Sequence, residues 1–237
     1  MVWAASGVRG ASGILRAMKR AAVITYLIAL HTLVGVALIT PGHLRQFRKQ
    51  ENPHIAEMRV VHGRMAPTIP DGAAIFLGDS ITEGLAVAAV SPHAVNLGIG
   101  GLRTDQLLEN LPAYPLDRAR AIYLMIGIND FGQGRAEGIQ DRIAAIAASL
   151  PDRPVVWTGV MPVREDVASL ASVATVNEAV ERACAALPAC RYIDPAPLLA
   201  PGGKWDQSAY LDAVHLNAEG YRRWVIALRG DHSPPPA

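Results

Sequence analysis

Short apolar segments that alternate with helical patterns most strongly constrain the fold of this chain. Apolar runs bounded by Gly, Asn or Asp are typical of buried strands, and they lie at residues 73–77, 94–97, 121–126, 155–158 and, more weakly, 191–193. Between them, apolar residues recur at helical spacing over residues 104–111, 136–150, 172–187 and 218–228. This alternation predicts βαβ units, and therefore an α/β domain at residues 71–230: a three-layer, doubly wound, flavodoxin-like parallel sheet.

The residues that directly follow the predicted strands are the candidates for a site, because ligands of open α/β sheets bind beyond the carboxyl ends of the strands. GDSIT follows the first strand, NLGIGG the second and GIND the third. We expect these three clusters to meet at one edge of the sheet. Before the last helix, Asp212 and His215 are three residues apart, so the carboxylate can reach an imidazole nitrogen within one turn. Asn217 is the predicted N-cap of that helix, and we expect the helix to end at Gly230.

These residue types together satisfy the needs of acyl transfer. A serine hydroxyl needs a base within hydrogen-bond reach, and the base needs a group that fixes its tautomer; Ser80, His215 and Asp212 have these functional groups. The tetrahedral intermediate also needs donors for its oxyanion, each worth about 3 to 4 kcal/mol. The Ser80 N–H, an N–H from the glycine loop and the side-chain amide of Asn129 are candidates.

The four blocks FLGDSIT, NLGIGG, GIND and DAVHLNAEGY, in this order, resemble the SGNH hydrolases, also called GDSL-like lipases and acylhydrolases. The resemblance covers about residues 73–229 and implies the SGNH-hydrolase fold and a serine ester hydrolase. By this resemblance Ser80 is the nucleophile, and Asp212 with His215 completes a catalytic triad. Ser80, Gly101 and Asn129 form the oxyanion hole. Leu102 departs from the pattern, because many members have an acidic residue there.

Simpler interpretations exist for the same residues. Ser80 could be only a helix N-cap, His215 a surface histidine, and the glycines at residues 98–101 a phosphate loop, although no lysine or full dinucleotide fingerprint accompanies them. The G-x-S-x-G elbow of α/β-hydrolases is absent around Ser80.

Three functions follow from these interpretations. We expect an esterase that removes a short acyl group, such as acetyl, from a carbohydrate or lipid. The alternatives are an O-acyltransferase with the same triad and a non-catalytic binding module on the same fold. No cofactor or metal site is predicted.

The N-terminal part carries an uncharged apolar run at residues 21–42, preceded by a basic segment at residues 1–20. Such a run is long enough to cross a bilayer and predicts a transmembrane signal anchor, which places the catalytic domain outside the cytoplasm. A cleaved signal peptide, and hence secretion, is the alternative. We expect a tether at residues 43–70, where prolines punctuate a polar sequence, and a disordered Pro-rich tail at residues 231–237.

Charge and cysteine content limit the partners. The formal net charge is +1, so no global field favours nucleic acid, and the expected partners are an ester substrate and, through the N-terminal helix, a membrane. Cys184 and Cys190, six positions apart, could form a local disulfide in an oxidising compartment or remain two separate core residues.

Overall fold

The computed structural model describes residues 18–32 and 52–230. The chain divides into two compact units, Met1–Glu51 and Asn52–Ala237. In the first unit, residues 18–32 are helical.

The predicted transmembrane anchor at residues 21–42 requires correction. Residues 18–32 are the part of the N-terminal region that the structure describes. Among the described residues, no helix combines the length and apolar character that a membrane crossing needs. The expected membrane partner and the membrane-anchored, extracytoplasmic localisation are overturned by this finding. Residues 33–42 of the predicted anchor, residues 1–17 of the basic segment and the tail at residues 231–237 lie outside the described residues.

The second unit is built on a five-stranded sheet in which all neighbouring strands are parallel. The strands are β1 (Ala74–Gly78), β2 (Ala94–Gly98), β3 (Ala121–Met125), β4 (Val155–Thr158) and β5 (Cys190–Ile193). Their order in the sheet is β2-β1-β3-β4-β5, which is the flavodoxin-like order. The predicted α/β fold with a parallel sheet is therefore confirmed.

Helices flank both faces of the sheet. They are α1 (Pro53–Met65), α2 (Ser80–Glu83), α3 (Thr104–Asn110), α4 (Ile128–Gly132), α5 (Ile139–Ser149), α6 (Leu170–Ala185), α7 (Ala196–Leu199) and α8 (Ala218–Arg229). Alternate residues of β1 face opposite sides: Ile75 and Leu77 join the core with α3, α5 and α6, whereas Phe76 joins a second core with Trp224 of α8. These two cores lie on opposite faces of the sheet, between the sheet and the helices, as in a doubly wound domain.

The last helix begins and ends where the sequence predicts. The Asn217 side chain accepts hydrogen bonds from the N–H groups of Glu219 and Gly220, and Gly230 ends the helix in the left-handed conformation. Both predicted helix signals are confirmed. The N-terminal end of α8 is thereby fixed close behind the segment that carries Asp212 and His215.

The tether expected at residues 43–70 is instead helical from its first described residues. Asn52 caps α1 by accepting a hydrogen bond from the His54 N–H, and Pro53 occupies the first helical position, where its missing N–H costs nothing. Ile55 of this helix is buried in the core. In the last turn of α1, the His62 side chain is buried and contacts the Tyr114 hydroxyl. Residues 43–51 of the expected tether lie outside the described residues.

The two cysteines form a disulfide. Cys184 near the end of α6 is bonded to Cys190 at the start of β5, with 5.3 Å between their Cα atoms. Of the two possibilities that the sequence leaves open, the structure has the disulfide. The disulfide links the end of α6 to β5, which is an edge strand of the sheet.

Candidate active site

The turn after β1 presents Ser80 at the carboxyl edge of the sheet. Asp79 is the N-cap of α2, and its Oδ1 accepts a hydrogen bond of 3.0 Å from the Ile81 N–H. Ser80 is the first residue of this helix, so its N–H has no acceptor within the helix. At Gly78 a Cβ would collide with the backbone carbonyl of Met125 and the Thr82 side chain. The lack of a side chain at Gly78 therefore allows the helix to begin directly against the sheet.

Asp79 is a fully buried carboxyl group beside this turn. Its Oδ2 has no hydrogen-bond partner among the described residues. Burial raises the pKa of Asp79 from 3.8 to about 7, because the charged form loses its hydration, although the Ile81 N–H opposes that shift. Asp79 thus holds the turn of Ser80 as a cap.

The segment before α8 carries Asp212 and His215 in a tight loop. The Leu211 N–H donates to the His215 carbonyl over 2.8 Å, which closes the loop. Asp212 Oδ1 accepts from the backbone N–H groups of Val214 and His215, each over 2.8 Å. Asp212 Oδ2 lies 2.8 Å from His215 Nδ1. The carboxylate therefore fixes both the backbone of the loop and the orientation of the imidazole.

Hydrogen bonding also sets the charge of Asp212. The backbone N–H of His215 is the largest cause that lowers the pKa of Asp212, and the Val214 N–H and the His215 side chain add to it, so that the pKa falls from 3.8 to about 2. Asp212 is ionised at neutral pH. An ionised carboxylate accepts the Nδ1–H of the imidazole and leaves Nε2 as an acceptor.

The two halves of the predicted triad lie together. His215 Nε2 is 3.0 Å from Ser80 Oγ, although the two residues are 135 positions apart in the chain. The structure therefore brings Ser80, His215 and Asp212 into one hydrogen-bonded line.

The glycine loop after β2 lies beside Ser80. Its turn is closed by the Leu102 N–H, which donates to the Ile99 carbonyl over 3.1 Å. Gly101 has a φ of +78°, the value for the third residue of a type II turn, where glycine avoids the strain of a side chain. Gly98 lies directly against the backbone of Glu83 in α2. This contact brings the loop that carries Gly101 close to the nucleophile helix.

Asn129, in the first turn of α4, faces the same loop. Its Nδ2 donates to the Leu102 carbonyl over 3.0 Å. A primary amide has two N–H donors, so one remains for another acceptor. The backbone N–H groups of Ser80 and Gly101 and the second amide N–H of Asn129 are the donors that this edge of the sheet offers.

Two further side chains of this region, which the sequence did not indicate as site residues, support the glycine loop and α4. Asp130 is fully buried and accepts from the N–H and hydroxyl of Thr104 and from Arg142, over 3.0, 2.7 and 3.1 Å. Gln133 donates to the Gly101 carbonyl over 2.9 Å. Only the concentration of polar residues directly after β3 could have indicated them, because their partners are distant in the sequence.

The site offers acid–base and hydrogen-bonding groups rather than metal ligands. Within residues 18–32 and 52–230, no three His, Cys, Asp or Glu side chains are grouped as a metal ion would need. The chemistry that this arrangement can perform is transfer of a proton from a hydroxyl to an imidazole, next to N–H donors that can stabilise a negative oxygen.

The sequence also matches a known family of hydrolases. The sequence profile of the GDSL-like Lipase/Acylhydrolase family matches residues 76–223, which is more than half of the chain. The chain therefore belongs to this family, and the resemblance found in the four sequence blocks is confirmed.

Three similar proteins illustrate this membership. The platelet-activating factor acetylhydrolase IB subunit alpha1 of Bos taurus is 28% identical over 167 residues, 65% of this chain and 72% of that protein. A solved structure from Streptococcus pneumonia, described as a platelet activating factor, has a TM-score of 0.67 and 22% identity, covering 87% of this chain and 98% of its own. An acetylxylan esterase from Geobacillus stearothermophilus has a TM-score of 0.53 and 16% identity, covering 67% and 95%. The two structural likenesses show a shared fold.

Proposed function

We propose that this protein is a serine esterase in which Ser80 is the nucleophile, His215 the general base and Asp212 the residue that orients the base. The observation that carries the proposal is the continuous line of contacts from Ser80 Oγ to His215 Nε2 over 3.0 Å and from His215 Nδ1 to Asp212 over 2.8 Å. A serine that served only as a helix cap would not need an imidazole at its hydroxyl. In this protein the cap of α2 is Asp79.

In the first half of the reaction, Ser80 Oγ attacks the ester carbonyl carbon while its proton moves to His215 Nε2. The ionised Asp212 stabilises the imidazolium that forms. Collapse of the tetrahedral intermediate breaks the bond to the alkoxy oxygen, which leaves as an alcohol with the proton from His215. The acyl group remains on Ser80 as an ester.

In the second half, water replaces the alcohol. His215 removes a proton from water, the hydroxide attacks the acyl carbon, and Ser80 Oγ leaves with the proton that His215 returns. Both tetrahedral intermediates carry a negative oxygen. The N–H groups of Ser80, Gly101 and Asn129 are the proposed donors to it, since they converge at one edge of the sheet.

We propose a short acyl group, such as acetyl, on a carbohydrate or lipid alcohol as the substrate. The support comes from two similar proteins whose names specify acetyl esters, the bovine acetylhydrolase subunit and the acetylxylan esterase. Release of the acyl group to water is the simplest outcome of the proposed mechanism. Transfer to a second alcohol would use the same acyl-serine.

The test is a profile of the full chain on p-nitrophenyl esters from acetate to octanoate, with Ser80→Ala and His215→Ala as controls. We expect turnover that is highest for the shortest esters and that falls to background in both variants. A wild-type protein without turnover, or a Ser80→Ala protein with full activity, would contradict the proposal. Turnover that rises with chain length would retain the mechanism and exclude the short-acyl substrate.

A further inference from the structure

Two of the proposed oxyanion donors are carried by different elements of the fold. Gly101 lies in the loop after β2, and Asn129 lies in α4 after β3. Preorganised donors stabilise a transition state only if they are held close to the productive geometry, within about 0.5 Å. Some contact must therefore fix the glycine loop against α4.

Two amide side chains of α4 and its C-cap make that contact. Asn129 donates to the Leu102 carbonyl over 3.0 Å, and Gln133 donates to the preceding carbonyl, that of Gly101, over 2.9 Å. The Gln133 N–H donates to the Asn129 carbonyl over 3.0 Å, so the two residues are one helical turn apart. Side chains at this spacing share one face of a helix. The two amides therefore hold adjacent carbonyls of the glycine loop from the same side.

Gln133 is itself held in place. Its Oε1 accepts from Arg103 over 2.7 Å, and Arg103 is bound by two N–H groups to the Asp105 carboxylate, each over 3.0 Å. The side chain that faces the Gly101 carbonyl is thus fixed at both ends of its amide. This orientation presents Nε2, the only possible donor of that amide, to the carbonyl.

We infer that Gln133 is a positioning residue that sets the Gly101 N–H in register with the Asn129 amide in the oxyanion hole. The inference rests on the proposed esterase function. Gln133 does not touch the reacting atoms; it holds the Gly101 carbonyl, in the peptide that directly follows the donor N–H. Without this hydrogen bond Gly101 loses its side-chain contact with α4, so we expect the separation of the two donors to vary.

The experiment compares Gln133→Met with Gln140→Met in the full chain. Methionine retains the length of the side chain but cannot donate to the Gly101 carbonyl. Gln140 is an equally exposed glutamine on α5, so its substitution controls for a surface change. We expect kcat of Gln133→Met to fall about three- to tenfold, the range that a net hydrogen bond corresponds to, with KM unchanged and the melting temperature within a few degrees of the wild type. Gln140→Met should equal the wild type.

A double-mutant cycle with Asn129→Ala separates positioning from simple stabilisation. If Gln133 aligns Gly101 with Asn129, Gln133→Met should change kcat less than about twofold once the Asn129 amide is absent. The inference would be overturned if Gln133→Met lowered kcat by the same factor with and without the Asn129 amide, or if it left the kcat of the otherwise wild-type protein unchanged. Arg103→Met removes the hydrogen bond that orients the Gln133 amide and should lower kcat in the same direction. A wild-type enzyme without Ser80-dependent turnover would instead refute the proposed function itself.

Discussion

The two halves of the candidate site are built in different ways. The nucleophile half lies on the two helix starts and the glycine loop that directly follow β1, β3 and β2, and its supporting carboxyl groups, Asp79 and Asp130, are fully buried. The base half lies on a surface loop, where about half of the Asp212 and His215 side chains is exposed. Packing and buried hydrogen bonds position the first half, whereas backbone N–H groups that converge on one exposed carboxylate position the second.

This difference separates the effects expected from substitution. Substitutions in the base half remove catalytic groups but few packing contacts, so the fold should survive them. Substitutions in the nucleophile half disturb buried polar groups, so stability should change there first. The four predictions below test the two halves against each other.

The largest loss of activity is expected from His215→Ala in the base half. We expect kcat for a p-nitrophenyl ester to fall about 10⁴-fold or more, because the serine loses its base, while the melting temperature stays within a few degrees. His31→Ala is the matched control and should retain full activity. If His215→Ala unfolds the protein, the claim that this half carries little packing is wrong.

Asp212→Asn should be the next most severe change. The Oδ1 of asparagine can still accept from the Val214 and His215 N–H groups, but the Nδ2 that replaces Oδ2 is a donor and cannot accept the imidazole Nδ1–H. We expect an intact loop and a loss of about 10³-fold in kcat, measured by steady-state kinetics. Asp166→Asn, at another exposed ion-paired carboxylate, should leave kcat unchanged. A mild loss, below about tenfold, would show that His215 does not depend on Asp212.

Asp79→Asn tests the nucleophile half through the pH dependence of its stability. The pKa of Asp79 is raised from 3.8 to about 7, so its favourable contribution is complete below pH 3.8 and is lost as the pH rises towards 7. Asparagine does not ionise, so the variant should lack this loss. We expect its free energy of unfolding, relative to the wild type, to increase by on the order of 4 kcal/mol between pH 4 and pH 8. Denaturant titrations at both pH values measure it, and parallel pH profiles would contradict it.

Asp130→Ala should destabilise the same half by breaking the anchor between α3 and α4. It removes the acceptor of Thr104 and the partner of Arg142, and loss of one member of a buried ion pair costs about 3 kcal/mol. Urea unfolding measures the loss. Asp141→Ala, at an exposed position of α5, is the control and should change stability by less than about 0.5 kcal/mol. Equal stability of the two variants would show that burial does not distinguish the halves.

The sequence predicts the strands and the four blocks because both are local signals. Each apolar run is bounded by its own Gly, Asn or Asp cluster, and parallel strands necessarily bring those clusters to one edge. The distances from Ser80 to His215 and on to Asp212 agree with the predicted triad, whose catalytic roles stay a prediction. Asn217 was identifiable for the same local reason, as a cap followed by a helical pattern.

The features that the sequence analysis missed depend on distant partners or on ambiguous local signals. Gln133 and Asp130 act on residues of another loop, about 30 positions away, so no spacing rule identifies them. Helix α1 was missed because prolines and charged residues suggested a tether, although Asn52 followed by Pro53 is also a helix start. At the N-terminus, the apolar composition suggested a membrane span, whereas the helix described at residues 18–32 lacks the length and apolar character of one.

The central claim is that Ser80 and His215 act as one unit, and covalent trapping tests it most directly. The full chain is treated with a fluorophosphonate, digested, and analysed by mass spectrometry for the modified peptide. We predict a single phosphonylated residue, Ser80, in the wild type, and labelling that becomes negligible in His215→Ala. Modification at another serine, or labelling of Ser80 that is equally fast without the imidazole, would contradict the account.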